Sequence, residues 1–370
     1  MSEVIVTTSE YDEQRLRPLL FEMLARLDDG RIQRGTRVLI KPNLLSPATP
    51  GEAVLTHPLV IKVVAEYCLD KDARVQLSDS PAIGSFEKIL SENGIRYALK
   101  GMDVVCKPFE RSIKVDIGKP FDGIEMAEDV LNADVIINLP KFKTHGQMLL
   151  TLAVKNMFGV VVGIRKPQWH MRAGVDRDIF AKLLVRIHAR VRPAFAILDG
   201  ILAMEGEGPG KSGVPRQLGV LMGSRDGMAI DEAVCRMIGI DPLLLPTHKV
   251  AQNLGITDAN LEITGRLPQV PHFRLPDITP LIYGPKALHG FFRRHLVQRP
   301  LRDSSRCTMC GECWKICPAG AISHRGKSLS FDYDRCIRCY CCIEVCPHDA
   351  LHAVETIAGR MIRQVVVKIF

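Results

Sequence analysis

CTMCGECWKICP (residues 307–318) and CIRCYCCIEVCP (residues 336–347) are two copies of one pattern, offset by 29 residues. Each spaces four cysteines by two, two and three residues and closes on Cys-Pro: Cys307, Cys310, Cys313 and Cys317, then Cys336, Cys339, Cys342 and Cys346. Three thiolates on a tight turn reach three irons of one cubane, while the fourth, just before proline, reaches the neighbouring cluster. The spacing therefore assigns Cys307, Cys310, Cys313 and Cys346 to one [4Fe–4S] cluster, and Cys336, Cys339, Cys342 and Cys317 to a second. The likeness of the copies extends outward, with Arg306 and Arg335 before each first cysteine and Ala321 and Ala350 at equal distances after each proline.

Over about 50 residues this segment resembles the bacterial two-cluster ferredoxins, which implies a small pseudo-symmetric α+β domain, set here at residues 301–353. The competing reading is a zinc ribbon, but zinc sites draw on separated pairs of ligands, not on two runs each ending in Cys-Pro. Cys341 departs from the pattern. Using it as a ligand would break both spacings, so it reads as a spare thiol near a cluster.

Outward from this module the remaining cysteines are sparse: Cys68, Cys106 and Cys235. Nothing points to an oxidising compartment, and in a reducing one crowded cysteines bind metal. The start of the chain is acidic where a signal peptide needs a basic and then apolar run. No stretch approaches the span of about 20 apolar residues that crosses a bilayer. The expectation is a cytoplasmic protein without a transmembrane segment. Its composition, 46% hydrophobic and 24% charged, is that of a chain with a real core.

The net charge of +8 is mild for 370 residues. It is densest at Lys286, Arg293, Arg294, Arg299, Arg302 and Arg306, interleaved with Leu288, Phe291, Phe292 and Leu296. Residues 266–300 read as a proline-containing basic connector, and residues 354–370 as a tail. The connector is either a solvated linker or a docking face for an acidic partner or an anionic membrane surface, leaving peripheral membrane contact open. No nucleic acid is expected, because no recognisable binding module accompanies the charge.

From residue 1 to 265, short apolar runs alternate with stretches of helical spacing. The runs at 4–7, 37–40, 74–77, 134–139, 194–198 and 218–222 suit buried strands; those at 11–27, 58–69, 176–189 and 226–238 suit helices. Thr56-His57-Pro58 is a plausible helix start with proline in the first turn, and Gly159 stands where a helix over 152–158 would end. Alternation of this kind predicts an α/β domain, a mostly parallel sheet with helices on both faces.

Polar residues follow these strands: Lys41 and Asn43; Ser78, Asp79 and Ser80; Lys141, Lys143 and His145; Asp199 and Glu205; Ser224 and Asp226. Strand ends meet water in any protein, but in open α/β sheets ligands also bind at the carboxyl edge. The densest segment, NLPKFKTHGQMLLTLAVKNMFG (138–159), concentrates Lys141, Lys143, His145, Lys155 and Asn156 around what reads as a loop between a strand and a helix, with Lys166 and His170 soon after. Clustered cations of this sort suit an anion such as phosphate or carboxylate. Lys143 or His145 is placed to supply a proton, while Lys41, Asn43, Lys141, Lys155 and Asn156 would hold the ligand. GEGPGKSG (206–213) is not a phosphate loop, since the required first glycine is Glu205, and it reads as a glycine loop beside the site.

KPNLL (41–45), NLPKFKTH (138–145), VKNMFG (154–159) and DGILAMEGEGP (199–209) together resemble the family catalogued as domain of unknown function 362, whose members often carry an appended two-cluster ferredoxin module. The resemblance covers about residues 1–260. It implies the same layout and the same cluster of lysines as a site, but no substrate.

The leading expectation is an iron–sulfur redox protein that passes single electrons between two [4Fe–4S] clusters and a ligand in the α/β domain, its tethered relay acting at high effective concentration. Its partners would be a small anionic substrate or a redox partner protein. No Gly-x-Gly-x-x-Gly follows a strand, which weighs against a dinucleotide. The alternatives are a non-catalytic electron carrier or assembly factor serving a partner redox enzyme, and a non-redox enzyme with purely structural clusters.

Overall fold

The computed structural model describes residues 1–163, 165–174, 176–257, 260–276, 291 and 295–366, with side chains described as far as 361. Ten strands form one sheet: β1 (Ser2–Thr8), β2 (Arg37–Pro42), β3 (Arg74–Leu77), β4 (Val104–Cys106), β5 (Val135–Leu139), β6 (Lys141–His145), β7 (Leu149–Thr151), β8 (Phe195–Gly206), β9 (Gly213–Ser224) and β10 (Leu261–Thr264). Their order across the sheet is β10-β1-β9-β8-β5-β2-β3-β4, with β6 pairing β8 and β7. The half built from β8, β5, β2, β3 and β4 is wholly parallel. Antiparallel pairing enters where β9 runs between β8 and β1.

The core lies on both sides of the sheet because neighbouring residues of one strand point to opposite faces. Val38 and Ile40 join one cluster with Leu16 and Leu20 of the helix Glu13–Asp28 and Val60 and Val64 of the helix Pro58–Leu69. Leu39 and Ile136 join another with Phe180 and Leu184 of the helix Arg177–Val191. This is why these strands read as unbroken apolar runs. The helix Pro58–Leu69 begins as expected, with Pro58 in the first turn and His57 Nδ1 accepting from the Leu59 N–H at 3.2 Å.

Two local expectations are corrected. Residues 141–145 are not a loop: Lys-Phe-Lys-Thr-His is a fully buried strand, held by β8 and by β7, with Asp199 opposite Lys141 and Thr151 opposite Lys143. The expected helix over 152–158 is a single turn, Ala153–Asn156, followed by a tighter turn, Met157–Val160. Asp231 Oδ1 accepts from the Ala153 N–H at 2.8 Å and anchors that turn's start.

The C-terminal unit is a small α+β arrangement. Arg299–Arg302 pairs antiparallel with Leu351–Val354, Ile322–Arg325 pairs with Ser328–Phe331, and short helices at Glu312–Ile316 and Cys341–Glu344 follow equivalent cysteines. A helix at Ile357–Val366 closes the described chain. Lys286, Leu288, Phe292, Arg293 and Arg294 of the basic connector lie outside the described residues. Among the described residues no helix is long and apolar enough to cross a membrane.

Candidate functional site

Strands β2, β3 and β6 end on one edge of the sheet, and Lys41 and Asn43, Asp79 and Ser80, and Lys143 and His145, at or near those ends, meet around a cavity of about 100 Å³. Lys41 ends β2 with its ammonium 3.0 Å from Asp79 Oδ1 just past β3; it also donates to Pro42 O at 2.9 Å and Asn156 Oδ1 at 3.2 Å. Asp79 is fixed in turn by the N–H groups of Leu44 and Ser80, each at 2.8 Å. Asn156 gathers Asn43 Nδ2 at 2.9 Å and donates to Asn138 Oδ1 at 2.7 Å. Burial lowers Lys41, and Asp79 opposes that loss. This part of the wall is a hydrogen-bonded network that leaves Asn43 Oδ1 without a partner among the described residues.

The strand β6 supplies the next part. Alternation turns Lys143 and His145 toward the cavity and Phe142 into the core. Lys143 Nζ donates to Val54 O at 2.7 Å, and burial, reinforced by Lys155, drives its pKa well below the usual amine range. His145 Nδ1 accepts from the N–H groups of Gln147 and Met148 at 3.1 and 3.2 Å. Its proton must therefore sit on Nε2. Burial accordingly pushes His145 down to about 4.

The opposite wall comes from the cysteine-rich unit. Ile316, Cys341, Glu344 and Val345 line the same cavity. Glu344 Oε1 lies 3.0 Å from His145 Nε2, so the carboxylate faces the imidazole N–H, and neither atom has another hydrogen-bond partner among the described residues. Burial alone would raise Glu344, but His145 beside it, then Lys155 and His170, hold it at about 2. Lys155 donates to no described residue; burial lowers its pKa, with Glu344 and Cys341 opposing. Lys166 donates to Ser80 O and is brought by burial to about 8. His170, against the rings of Phe158 and Phe180, is brought by burial to about 3.

Of the residues singled out in the sequence, Lys41, Asn43, Lys143, His145, Lys155 and Asn156 line this cavity, together with Lys166 and His170. Lys141 does not. It donates to Asp199 Oδ2 at 2.8 Å and Tyr11 Oη at 2.9 Å, and Tyr11 donates to Asp199 Oδ1 at 2.6 Å, so its charge is spent within the sheet. Pro209 of the glycine loop reaches the rim. Sequence reasoning missed Glu344. A signal existed: position 315 of the first cysteine copy, the equivalent of 344, is Lys315, exposed and 3.4 Å from Glu312. The copies thus carry opposite charges at one position, and Cys341 replaces Glu312 in the same comparison.

The eight cysteines gather as two sets. Cys307, Cys310, Cys313 and Cys346 surround one small space. Cys317 has Cys339 and Cys336 as electrostatic neighbours, and Cys342 has Cys339, Cys336 and Cys317. Among the described residues no three His, Cys, Asp or Glu side chains converge as a single-ion site; four thiols set around a space are what a cubane needs instead. The repeated alanines have a role here: Ala321 and Ala350 each donate N–H to the sulfur of Cys317 and Cys346 at 3.3 Å. The donor set fits two iron–sulfur clusters. Cys341 stands beside Cys339 and faces the cavity.

The family described as Domain of unknown function (DUF362) matches residues 38–236, and a 4Fe-4S dicluster domain matches residues 299–347. A thylakoid-associated protein of Synechocystis sp. is 34% identical over 274 residues, covering 72% of this chain and 85% of its own. Among solved structures, the lactate racemase apoprotein of Thermoanaerobacterium thermosaccharolyticum aligns with a TM-score of 0.33 at 12% identity, over 54% of this chain and 50% of that one.

Proposed function

This chain belongs to the DUF362 family and carries a 4Fe-4S dicluster domain, and on that premise we propose an iron–sulfur redox protein that exchanges single electrons between two [4Fe–4S] clusters and a small anionic ligand held where its two parts meet. One observation carries this reading. The cation-lined cavity at the sheet edge takes a wall, Ile316, Cys341, Glu344 and Val345, from the two short helices that bear Cys313 and Cys342 and from their ends, just before Cys317 and Cys346.

Cys307, Cys310, Cys313 and Cys346 would hold one cluster, and Cys336, Cys339, Cys342 and Cys317 the other. When bound, such clusters supply or accept one electron each at a potential set by hydrogen bonds to sulfur and by burial. The chain's own residues do the rest. Lys155 and Lys166 attract the anion in a site shielded from water, where their charges act strongly. Lys143, held toward its neutral amine by burial, takes up or releases a proton at Nζ as charge on the ligand changes. His145 is fixed as an Nε2 donor. The Lys41–Asp79 pair keeps the cavity's floor in place. We propose a cytoplasmic location, and the thylakoid association named for its Synechocystis relative makes fractionation of the native protein worthwhile.

A native mass spectrum of the full chain purified without oxygen tests this. The expected result is two cubanes plus a further small mass, which Lys155→Gln removes and whose addition speeds reoxidation of the reduced clusters. Two clusters with no further mass, and reoxidation indifferent to every extract fraction, would replace this reading with that of an electron carrier for a separate enzyme.

A further inference from the structure

The cavity has both kinds of hydrogen-bonding atom to spare. Thr151 Oγ1 and His170 Nδ1, on side chains that are nine-tenths or more buried, have no hydrogen-bond partner among the described residues, and His145 Nε2 has Glu344 Oε1 at 3.0 Å and no other. Asn43 Oδ1 on the same walls has none either, and the carboxylate of Glu344 has acceptor capacity beyond its contact with His145. Buried polar groups are nearly always satisfied, and a cluster of exceptions around one space marks what that space is built to receive. His145 Nε2 and Lys155 can only donate. Asn43 Oδ1 and the Glu344 carboxylate can only accept.

An anion that purely accepts would satisfy the donors and set its own oxygens against Glu344 and Asn43. A ligand that satisfies both carries negative charge at one end and an O–H or N–H at the other. Size points the same way: the enclosed space of about 100 Å³ suits a small ligand. We infer that the cavity takes a small hydroxy- or amino-carboxylate, with its anionic end at Lys155 and its donor read by Glu344 across the join between the two parts. This rests on the proposed ligand site but not on electron exchange, and it can be tested by binding alone.

The test is calorimetric titration of the full chain, clusters loaded and oxidised, without oxygen, with matched probes: acetate against glycolate, and succinate against malate. A hydrogen bond to a charged group predicts that the hydroxyl-bearing member of at least one pair binds at least about tenfold tighter. In Glu344→Gln, with iron content and visible spectrum unchanged, that preference should fall below about threefold. Lys155→Gln should weaken both members of the pair alike. Equal affinity within both pairs, an undiminished preference in Glu344→Gln, or no binding of any probe, which would mean that water alone fills the cavity, each overturns the inference. Binding with the expected preference but no effect on cluster reoxidation would sustain it while removing the redox reading.

Discussion

Gly159 is in contact with the ion pair at the cavity floor, and replacing it with alanine should be far from silent. A methyl group there would lie 2.3 Å from Asp79 Oδ1, 2.4 Å from Lys41 Nζ and 2.7 Å from Lys41 Cε. All three are far inside van der Waals contact. The side chains of Lys41 and Asp79 are 1% and 4% exposed, so neither can swing into water. Asp79 is also pinned by two backbone N–H groups. Overpacking alone costs about 1–3 kcal/mol, and separating a buried pair about 3–5 kcal/mol. The two overlap, because the methyl acts by parting the pair, and about 3–5 kcal/mol is the expected loss. At about 2 °C per kcal/mol for a domain of this size, the unfolding midpoint should drop by about 6–10 °C. Scanning calorimetry of the full chain at one scan rate would measure it, with Gly51→Ala as the control, since nothing lies within 4 Å of its added methyl. A midpoint for Gly159→Ala within about 1 °C of the parent would refute the packing argument and, with it, the rigidity claimed for this wall.

Binding of an anionic probe such as malate should hold steady below pH 7 and weaken as pH rises through about 8, where Lys166 loses its proton; the protonated form is the one that binds, so affinity falls on the alkaline side, and a flat profile from pH 6.5 to 9.5 would remove Lys166 from the site. Lys141→Met should leave Asp199 buried and unpaired at a cost of about 3–5 kcal/mol, seen as a lower unfolding midpoint, while the affinity of the folded protein for the probe is unchanged because Lys141 does not line the cavity. Cys341→Ser should keep the full iron complement and the resting visible spectrum, whereas Cys346→Ser should lose iron; iron loss from Cys341→Ser would make Cys341 a ligand and shift the register of the second copy.

Much of the parallel half of the sheet was legible because β2 and β5 are buried on both faces and so advertise themselves as apolar runs; residues 74–77, which alternate between exposed or half-buried and buried, became β3 without adjustment. The insertion of β9 between β8 and β1 was not, since pairing between Ile5 and Gly223 joins residues that no local pattern links. Residues 141–145 misled for a different reason. Lys-Phe-Lys-Thr-His alternates like a strand, but two lysines and a histidine facing inward contradict the rule that a strand's buried face is apolar. That rule fails where the inward face lines a polar cavity. Lys143, His145, Lys155 and Asn156 were found by crowding alone, whereas Lys141, equally crowded in sequence, is diverted by Asp199, whose approach depends on the register of β8 against β6. Gly159 was read as a helix end, when its lack of a side chain serves close approach to Lys41 and Asp79.

His145 and Glu344 face each other across 3.0 Å but stand almost two hundred positions apart, in segments that match different families. A chamber walled by both gives selection a single object where the genome holds two modules. A change at 344 is judged against whatever stands at 145 and 155, so neither module can drift, be exchanged for a cousin, or be released as a separate polypeptide without opening the chamber to solvent. The fusion is then less a convenience of delivery than a condition for the chamber to exist.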